Sequence, residues 1–160
     1  MITLGSILAF LAIGLAVIFP GIASAKGVGL VGQSAAGVVT EDPDRFGQVL
    51  LLQALPGTQG IYGLLTGFMI MMKINVFNPA HFVPLTTSQG VMFLLAALPV
   101  AVVGFLSAIY QALASASSVL LVAKRPEEVG KALTFPAMVE TYAVLSFLAS
   151  LLLINGIPMR

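Results

Sequence analysis

"GVMFLLAALPVAVVGFLSAIYQALASASSVLLVA" runs from Gly90 to Ala123 without a charged residue. Its one long polar side chain is Gln111, and no Asp, Glu, Lys or Arg stands anywhere between Lys73 and Lys124. A helix needs about 20 mostly apolar residues to cross a bilayer, and this run is longer than that. Three more runs meet the same requirement: Leu4–Val39, Phe46–Met72 and Ala132–Ile154. Charged residues make up 8% of the chain, against roughly 25% in a soluble domain. A soluble helical bundle needs polar outer faces, and no segment shows periodic charge. A membrane barrel needs short alternating strands, which these runs are not. The sequence therefore reads as an all-α membrane protein with four transmembrane helices. The first run reads as a span and not as a secretion signal, because no Lys or Arg precedes it and it is too long.

The spans form two similar pairs. "TEDPDRFG" (Thr40–Gly47) joins the first to the second, and "AKRPEEVG" (Ala123–Gly130) joins the third to the fourth. Pro43 lies as far from Pro126 as Gly47 lies from Gly130. Further on, Pro56 pairs with Pro136 and Tyr62 with Tyr142 at a slightly shorter offset, and Gln59 falls opposite Glu140. The expected organisation is a duplicated helical hairpin: residues 1–75 as the first hairpin, 76–89 as an extracellular linker, and 90–160 as the second hairpin. Both short loops then lie on one side of the membrane. Arg45, Lys124, Arg125, Lys131 and Lys26 lie toward that side, and Lys73 and Arg160 toward the other. Cytoplasmic loops carry the excess of Lys and Arg. A multi-pass protein of the cell membrane is expected, with cytoplasmic hairpin loops and both termini outside.

Several other chemistries find no support. There is no cysteine, so no disulfide or thiol chemistry is open to the chain. Nucleic acid would need a basic patch. "GVGLVG" (Gly27–Gly32) lacks the arrangement of a phosphate loop and follows no strand, so no nucleotide is expected. His81, in the linker "VFNPAHFVPLTTSQ", is a lone histidine, and a metal centre needs more ligands. No tightly bound cofactor is expected.

Small residues crowd the first and third spans. Gly21, Ala25 and Gly29 recur every four residues, with Gly27, Gly32, Ala36 and Gly37 beside them; the third span has Ala108, Ala112, Ser115, Ala116, Ser117 and Ser118. Such residues let membrane helices approach closely. The second and fourth spans carry large side chains such as Leu50, Leu51, Phe68, Phe147 and Leu151. Two arrangements fit this contrast. One is a tightly packed four-helix unit. The other is a ring of copies with the first and third spans inside.

Glu140 stands near the middle of the fourth span. A carboxylate there must be protonated, paired or bound to a cation, and no Lys or Arg sits in the middle of any span. Thr58, Gln59 and Tyr62 share a helical face on the second span. Leu55 precedes Thr58 by one turn and offers a backbone carbonyl. Gln111 alone would serve as a hydrogen bond between helices, but with the others it completes a set of oxygen donors. One charge among neutral oxygens suits a monovalent hard cation better than Ca²⁺ or Mg²⁺. Na⁺ is the first candidate, since a site for protons alone needs fewer oxygens, and H⁺ is the second. Tyr62 can donate its hydroxyl hydrogen to Glu140.

"QALPGTQGIYG" (Gln53–Gly63), "AKRPE" (Ala123–Glu127) and "FPAMVETYAVLSF" (Phe135–Phe147) resemble the sixteen-kilodalton proteolipid, subunit K, of bacterial V-type ATPases, above all its sodium-translocating branch. The likeness runs from the first span to Ile154. It implies a non-catalytic rotor-ring subunit that carries one working carboxylate in two hairpins. It further implies ion ligands at Glu140, Gln59, Thr58, Gln111 and the Leu55 carbonyl, with Tyr62 steadying the carboxylate. The implied partners are identical subunits in a ring, membrane lipids, a stator subunit bearing an essential arginine, and central-stalk subunits at the cytoplasmic loops. A small standalone cation transporter or channel is the competing reading; it needs a complete pathway in one chain, and the sequence offers one acidic site. Cysteines placed at Asp44 and Glu128 are expected to be shielded from an impermeant thiol reagent in sealed cells. Ready labelling of both from outside would refute the topology.

Overall fold

The computed structural model describes residues 3–159; Arg160, counted above in the charge balance, lies outside them. The long helices are α1 (Leu4–Glu41), α4 (Thr87–Lys124) and α5 (Val129–Gly156). Each is long and apolar enough to cross a membrane, the last together with the short turn before it. The remaining crossing is composite. It consists of α2 (Phe46–Ala54), a single 3₁₀ turn (Leu55–Gly57) and α3 (Thr58–Lys73). Pro56 has no N–H to donate. The chain tightens there so that the Thr58 N–H reaches the Leu55 carbonyl three residues back. Pro136 leaves α5 unbroken; it is followed by Ala137 where Pro56 is followed by Gly57, the weaker helix former. The protein is thus a multi-pass, all-helical membrane protein of four crossings.

The two 38-residue helices α1 and α4 form the centre and lie against each other along their length. On α1 the buried positions include Gly5, Ala9, Ala12, Ala16, Ala23, Gly27, Val31 and Val38, spaced by three, four or seven residues. On α4 they include Gly90, Phe93, Ala97, Val100, Gly104, Ala108 and Ala112. These stripes bring the backbones together. A methyl group on Gly90 would strike the Gly5 carbonyl, and one on Gly27 would come within 3.0 Å of the Ala112 Cβ. Because Gly5 meets Gly90 and Gly27 meets Ala112, α1 and α4 run parallel. α3 packs on α1, and α5 packs on α4.

Within one chain the small and the large side chains divide by helix face. The Gly21–Ala25–Gly29 stripe is left open within the chain: Ala25 and Gly29 are exposed, and nothing lies within 4 Å of a methyl group placed on Gly21 or Gly29. The turn next to it, Ala23 and Gly27, makes the contact instead. Large apolar side chains are not confined to the second and fourth crossings either. Ile18, Phe19 and Ile22 on α1 and Leu95, Leu106 and Leu120 on α4 are as exposed as Leu145 or Phe68. The contrast lies between two faces of one helix, not only between helices.

The ends are tied by polar contacts between the hairpins. Thr3 caps α1 and donates its hydroxyl to the Leu85 carbonyl at 2.7 Å. Thr86 and Gln89 form a capping box at the start of α4. The Lys73 ammonium donates to the carbonyls of Ile154 and Asn155 at 2.6 and 2.8 Å, a cation at the negative end of α5. At the opposite end Gln48 Nε2 donates to the Pro126 carbonyl. The connection after α3 turns at Asn75, whose φ of 56° is one that asparagine tolerates, and it lays Phe82 on Phe10 with ring centroids 6.4 Å apart.

Gly63 sits where α3 crosses α1, and a methyl group there would run into the backbone carbonyl of Ala16. Gly63→Ala should lower stability by roughly 1–3 kcal/mol. Gly130→Ala, with nothing within 4 Å, should be neutral or slightly stabilising. Thermal unfolding of the detergent-purified variants checks this, and equal midpoints would contradict the packing.

Candidate ion-binding site

The site lies where α3, α4 and α5 meet, at the break in the second crossing. The 3₁₀ turn sets Thr58 and Gln59 on one face of the first turn of α3, with Tyr62 one turn on. Glu140 lies on α5 about one helical turn after Pro136. Gln111 enters from α4 and, like Gln59, is wholly buried.

The carboxylate of Glu140 accepts from four side chains. Tyr62 Oη donates to Oε1 at 2.7 Å. Thr58 Oγ1, Gln111 Nε2 and Gln59 Nε2 surround Oε2 at 2.7, 2.8 and 3.1 Å. Thr58 Oγ1 also lies 2.9 Å from the Leu55 carbonyl. A hydroxyl has one hydrogen, so at any moment Thr58 donates to only one of these two oxygens. All six residues singled out in the sequence therefore fall in one cluster: Leu55, Thr58, Gln59, Tyr62, Gln111 and Glu140. The ion pairs among the described residues, Arg45–Asp42 and Lys131–Glu128, lie at the hairpin loops, and neither reaches the cluster.

The two amides also touch each other. Gln59 Nε2 donates to Gln111 Oε1, while Gln59 Oε1 is buried without a partner. Amide orientation follows from the surrounding hydrogen bonds. Turning the Gln59 amide over brings its unpaired oxygen to the carboxylate side, where a cation and not a donor is the fitting partner. With that turn Gln59 Oε1 joins Thr58 Oγ1 beside the carboxylate of Glu140, the one charged group of the cluster.

Sequence reasoning missed three neighbours. Ser107 Oγ lies 3.4 Å from Gln59 Nε2 and donates to the Val139 carbonyl at 3.1 Å. It stands four residues before Gln111 on the same helical face, a spacing that marks it. Phe147, two turns after Glu140, stacks on the Tyr62 ring at a centroid distance of 5.4 Å. Ser24 accepts from the Gly60 N–H at 2.8 Å and pins α3 to α1 beside the site; no signal in the sequence singles it out.

Residues 11–70 and 94–153 each match the family model of the ATP synthase C subunit. The match covers most of the chain, and the chain belongs to the ATP synthase C-subunit family, with the family's hairpin present in duplicate. Over 150 residues it is 45% identical to the V-type sodium ATPase subunit K of Enterococcus hirae, spanning 94% of this chain and 92% of that one. Over 154 residues it is 40% identical to the A-type ATP synthase subunit K of Methanocaldococcus jannaschii, spanning 96% of this chain and 63% of that one.

The two matched segments share the offset of the loop prolines, and the contacts follow that offset. Val28 lies against Gly57 as Gln111 lies against Glu140. Thr58 donates to the Leu55 carbonyl as Thr141 donates to that of Met138. The counterpart of Glu140 in the first hairpin is therefore Gly57, and Gln59 corresponds to Tyr142. This replaces the pairing of Gln59 with Glu140 read from the flanking prolines and tyrosines. A shift of two residues turns a helical position by about 200°, so the two registers describe opposite faces.

Tyr62→Phe removes one of the four donors to Glu140 and should make the carboxyl several-fold more reactive toward a carbodiimide in sodium-free buffer. Phe147→Leu should produce part of that effect. In the Tyr62→Phe background it should add nothing, because the stacking acts through the hydroxyl. Additive effects of the two changes would show that Phe147 acts elsewhere.

Proposed function

We propose that this chain is the rotor-ring subunit of a V-type ATPase membrane sector, carrying one Na⁺ per chain on Glu140. The observation that carries the reading is the convergence of one carboxylate with four neutral oxygen sources and no countercharge, on a chain akin to a V-type sodium ATPase subunit K. Glu140 supplies the charge. The Leu55 carbonyl, Thr58, Gln59 and Gln111 supply neutral oxygens, and Tyr62 fixes the carboxylate without adding charge. Hard cations prefer such oxygens, and one charge matches a monovalent ion.

Identical copies stand side by side in a closed ring, with α1 and α4 inward. Each copy divides into a first hairpin (1–75), an outer linker (76–89) and a second hairpin (90–160). The loops Thr40–Gly47 and Ala123–Gly130 face the cytoplasm and meet the central stalk, and both termini lie outside. An ion reaching Glu140 through a stator half-channel neutralises the site, which then turns through lipid. A stator arginine favours the ion-free carboxylate and releases the ion to the second half-channel. ATP hydrolysis or synthesis takes place in a separate soluble sector; this chain is a carrier and not itself a catalyst.

A carbodiimide attacks the protonated carboxyl, so bound Na⁺ should protect Glu140. Protection should weaken as pH falls, because protons compete for the same oxygens. Glu140→Gln should abolish both labelling and transport. Thr58→Ala and Gln111→Ala should leave Glu140 modifiable but weaken protection. Each removes one neutral partner in a dry site, about 1–3 kcal/mol or roughly 5- to 150-fold in affinity. ²²Na⁺ binding to the isolated assembly, followed in parallel with labelling, decides the ion. If Na⁺ neither binds nor slows labelling at any pH where the carboxylate ionises, the sodium reading fails, and H⁺ becomes the carried ion on the same residue.

A further inference from the structure

Ser107 reaches the ion site through the Gln59 amide. It is 5% exposed and stands on α4 one turn before Gln111. Its hydroxyl donates to the Val139 carbonyl at 3.1 Å, and its oxygen lies 3.4 Å from Gln59 Nε2. That nitrogen therefore faces three oxygens: Ser107 Oγ, Gln111 Oε1 and, at 3.1 Å, Glu140 Oε2. The oxygen of the same amide is buried with no partner. The Gln111 amide is set differently. Its Nε2 donates to the Pro136 carbonyl at 3.1 Å as well as to Glu140 Oε2 at 2.8 Å, so a backbone group outside the carboxylate anchors it. Gln59 has no such anchor, and its oxygen holds no bond that turning would break. Of the two amides, Gln59 is the one free to turn.

We propose that the Gln59 amide turns over when the cation enters, and that Ser107 is the positioning residue that holds it in the turned orientation. The proposal rests on the sodium reading of the site. Without the ion, Gln59 Nε2 points at Gln111 Oε1 and Glu140 Oε2 and closes the space between them with hydrogen bonds. With the amide turned, oxygens of Gln59, Gln111 and Glu140 face one another. A cation among them makes that arrangement stable, and when it leaves the amide hydrogens return. A hydroxyl fits beside such an amide, since it accepts from a nitrogen and donates to an oxygen. In the ion-free state Ser107 gives its hydrogen to Val139, and its contact with Gln59 is long. In the ion-bound state it gives that hydrogen to Gln59 Oε1, so the stronger bond belongs to the bound state. The Val139 carbonyl loses little, because α5 runs unbroken past it and the Ala143 N–H already serves it. Ser107 thus orients a ligand of the ion without being one.

Ser107→Ala removes one oxygen and needs no new room, and electron microscopy of the purified particles verifies assembly. The Na⁺ concentration that halves carbodiimide labelling of Glu140 should rise roughly 2- to 12-fold, the net worth of one hydrogen bond. Labelling in sodium-free buffer should follow the wild-type pH profile, because the four bonds to Glu140 are untouched. A change that merely loosened the helices would shift that profile as well. In a Gln59→Ala background, Ser107→Ala should add nothing. A lowered sodium requirement means that the nitrogen stays inward, and it overturns the turn. An unchanged requirement, a shifted sodium-free profile, or effects additive with Gln59→Ala overturn the role of Ser107. Each of these leaves the sodium reading standing. Wild-type protein whose labelling Na⁺ does not slow overturns both.

Discussion

An ionised carboxylate in the middle of a membrane helix costs about 3 kcal/mol or more unless other groups surround it. Glu140 meets that cost with donors from two other helices: Thr58, Gln59 and Tyr62 on α3 and Gln111 on α4. The demand reaches well beyond the site. Three helices have to converge to within hydrogen-bond distance at one height. The glycines and alanines between α1 and α4, and Gly63 against Ala16, make that approach sterically open. The small-residue seams and the polar cluster answer the same requirement from two sides.

The break at Pro56 belongs to the same design. A regular helix engages its carbonyls with N–H groups four residues on. In the 3₁₀ turn the Leu55 carbonyl is engaged three residues on, by the Thr58 N–H, and it also lies 2.9 Å from the Thr58 hydroxyl of the cluster. Irregular backbone is tolerated at membrane depth where protein covers it, and Pro56 is buried. The one interruption among the described membrane-crossing helices therefore coincides with the polar cluster at their centre.

Much of this was legible in the sequence, and the failures have physical causes. Absence of charge from Gly90 to Ala123 decided the membrane class, and a lone glutamate in Ala132–Ile154 marked the site. Helical spacing then gathered Thr58, Gln59 and Tyr62 on one face. The correspondence of Gln59 with Glu140 failed because identical residues, two prolines and two tyrosines, outweighed helical phase; the contacts of Gly57 and Val28 show the phase. Within one chain Ala23 and Gly27, and not the Gly21–Ala25–Gly29 stripe beside them, make the helix contact. Spacing finds a stripe of small residues but does not tell which of two adjacent stripes faces a neighbour. Phe147 was hidden among other apolar residues, and only the ring of Tyr62 gives it a purpose.

The contacts between the hairpins also bear on how the chain is made. Residues Thr58, Gln59 and Tyr62 leave the ribosome long before Gln111 and Glu140 do. During that interval the Gln59 amide, fully buried in the finished protein, stands in hydrocarbon without its partners, and the Lys73 ammonium has no α5 terminus to cap. A newly inserted first hairpin is therefore a poorly satisfied object in the bilayer, and the arrival of the second relieves it at both places. Pairing of the two hairpins thus satisfies polar groups that neither half satisfies alone.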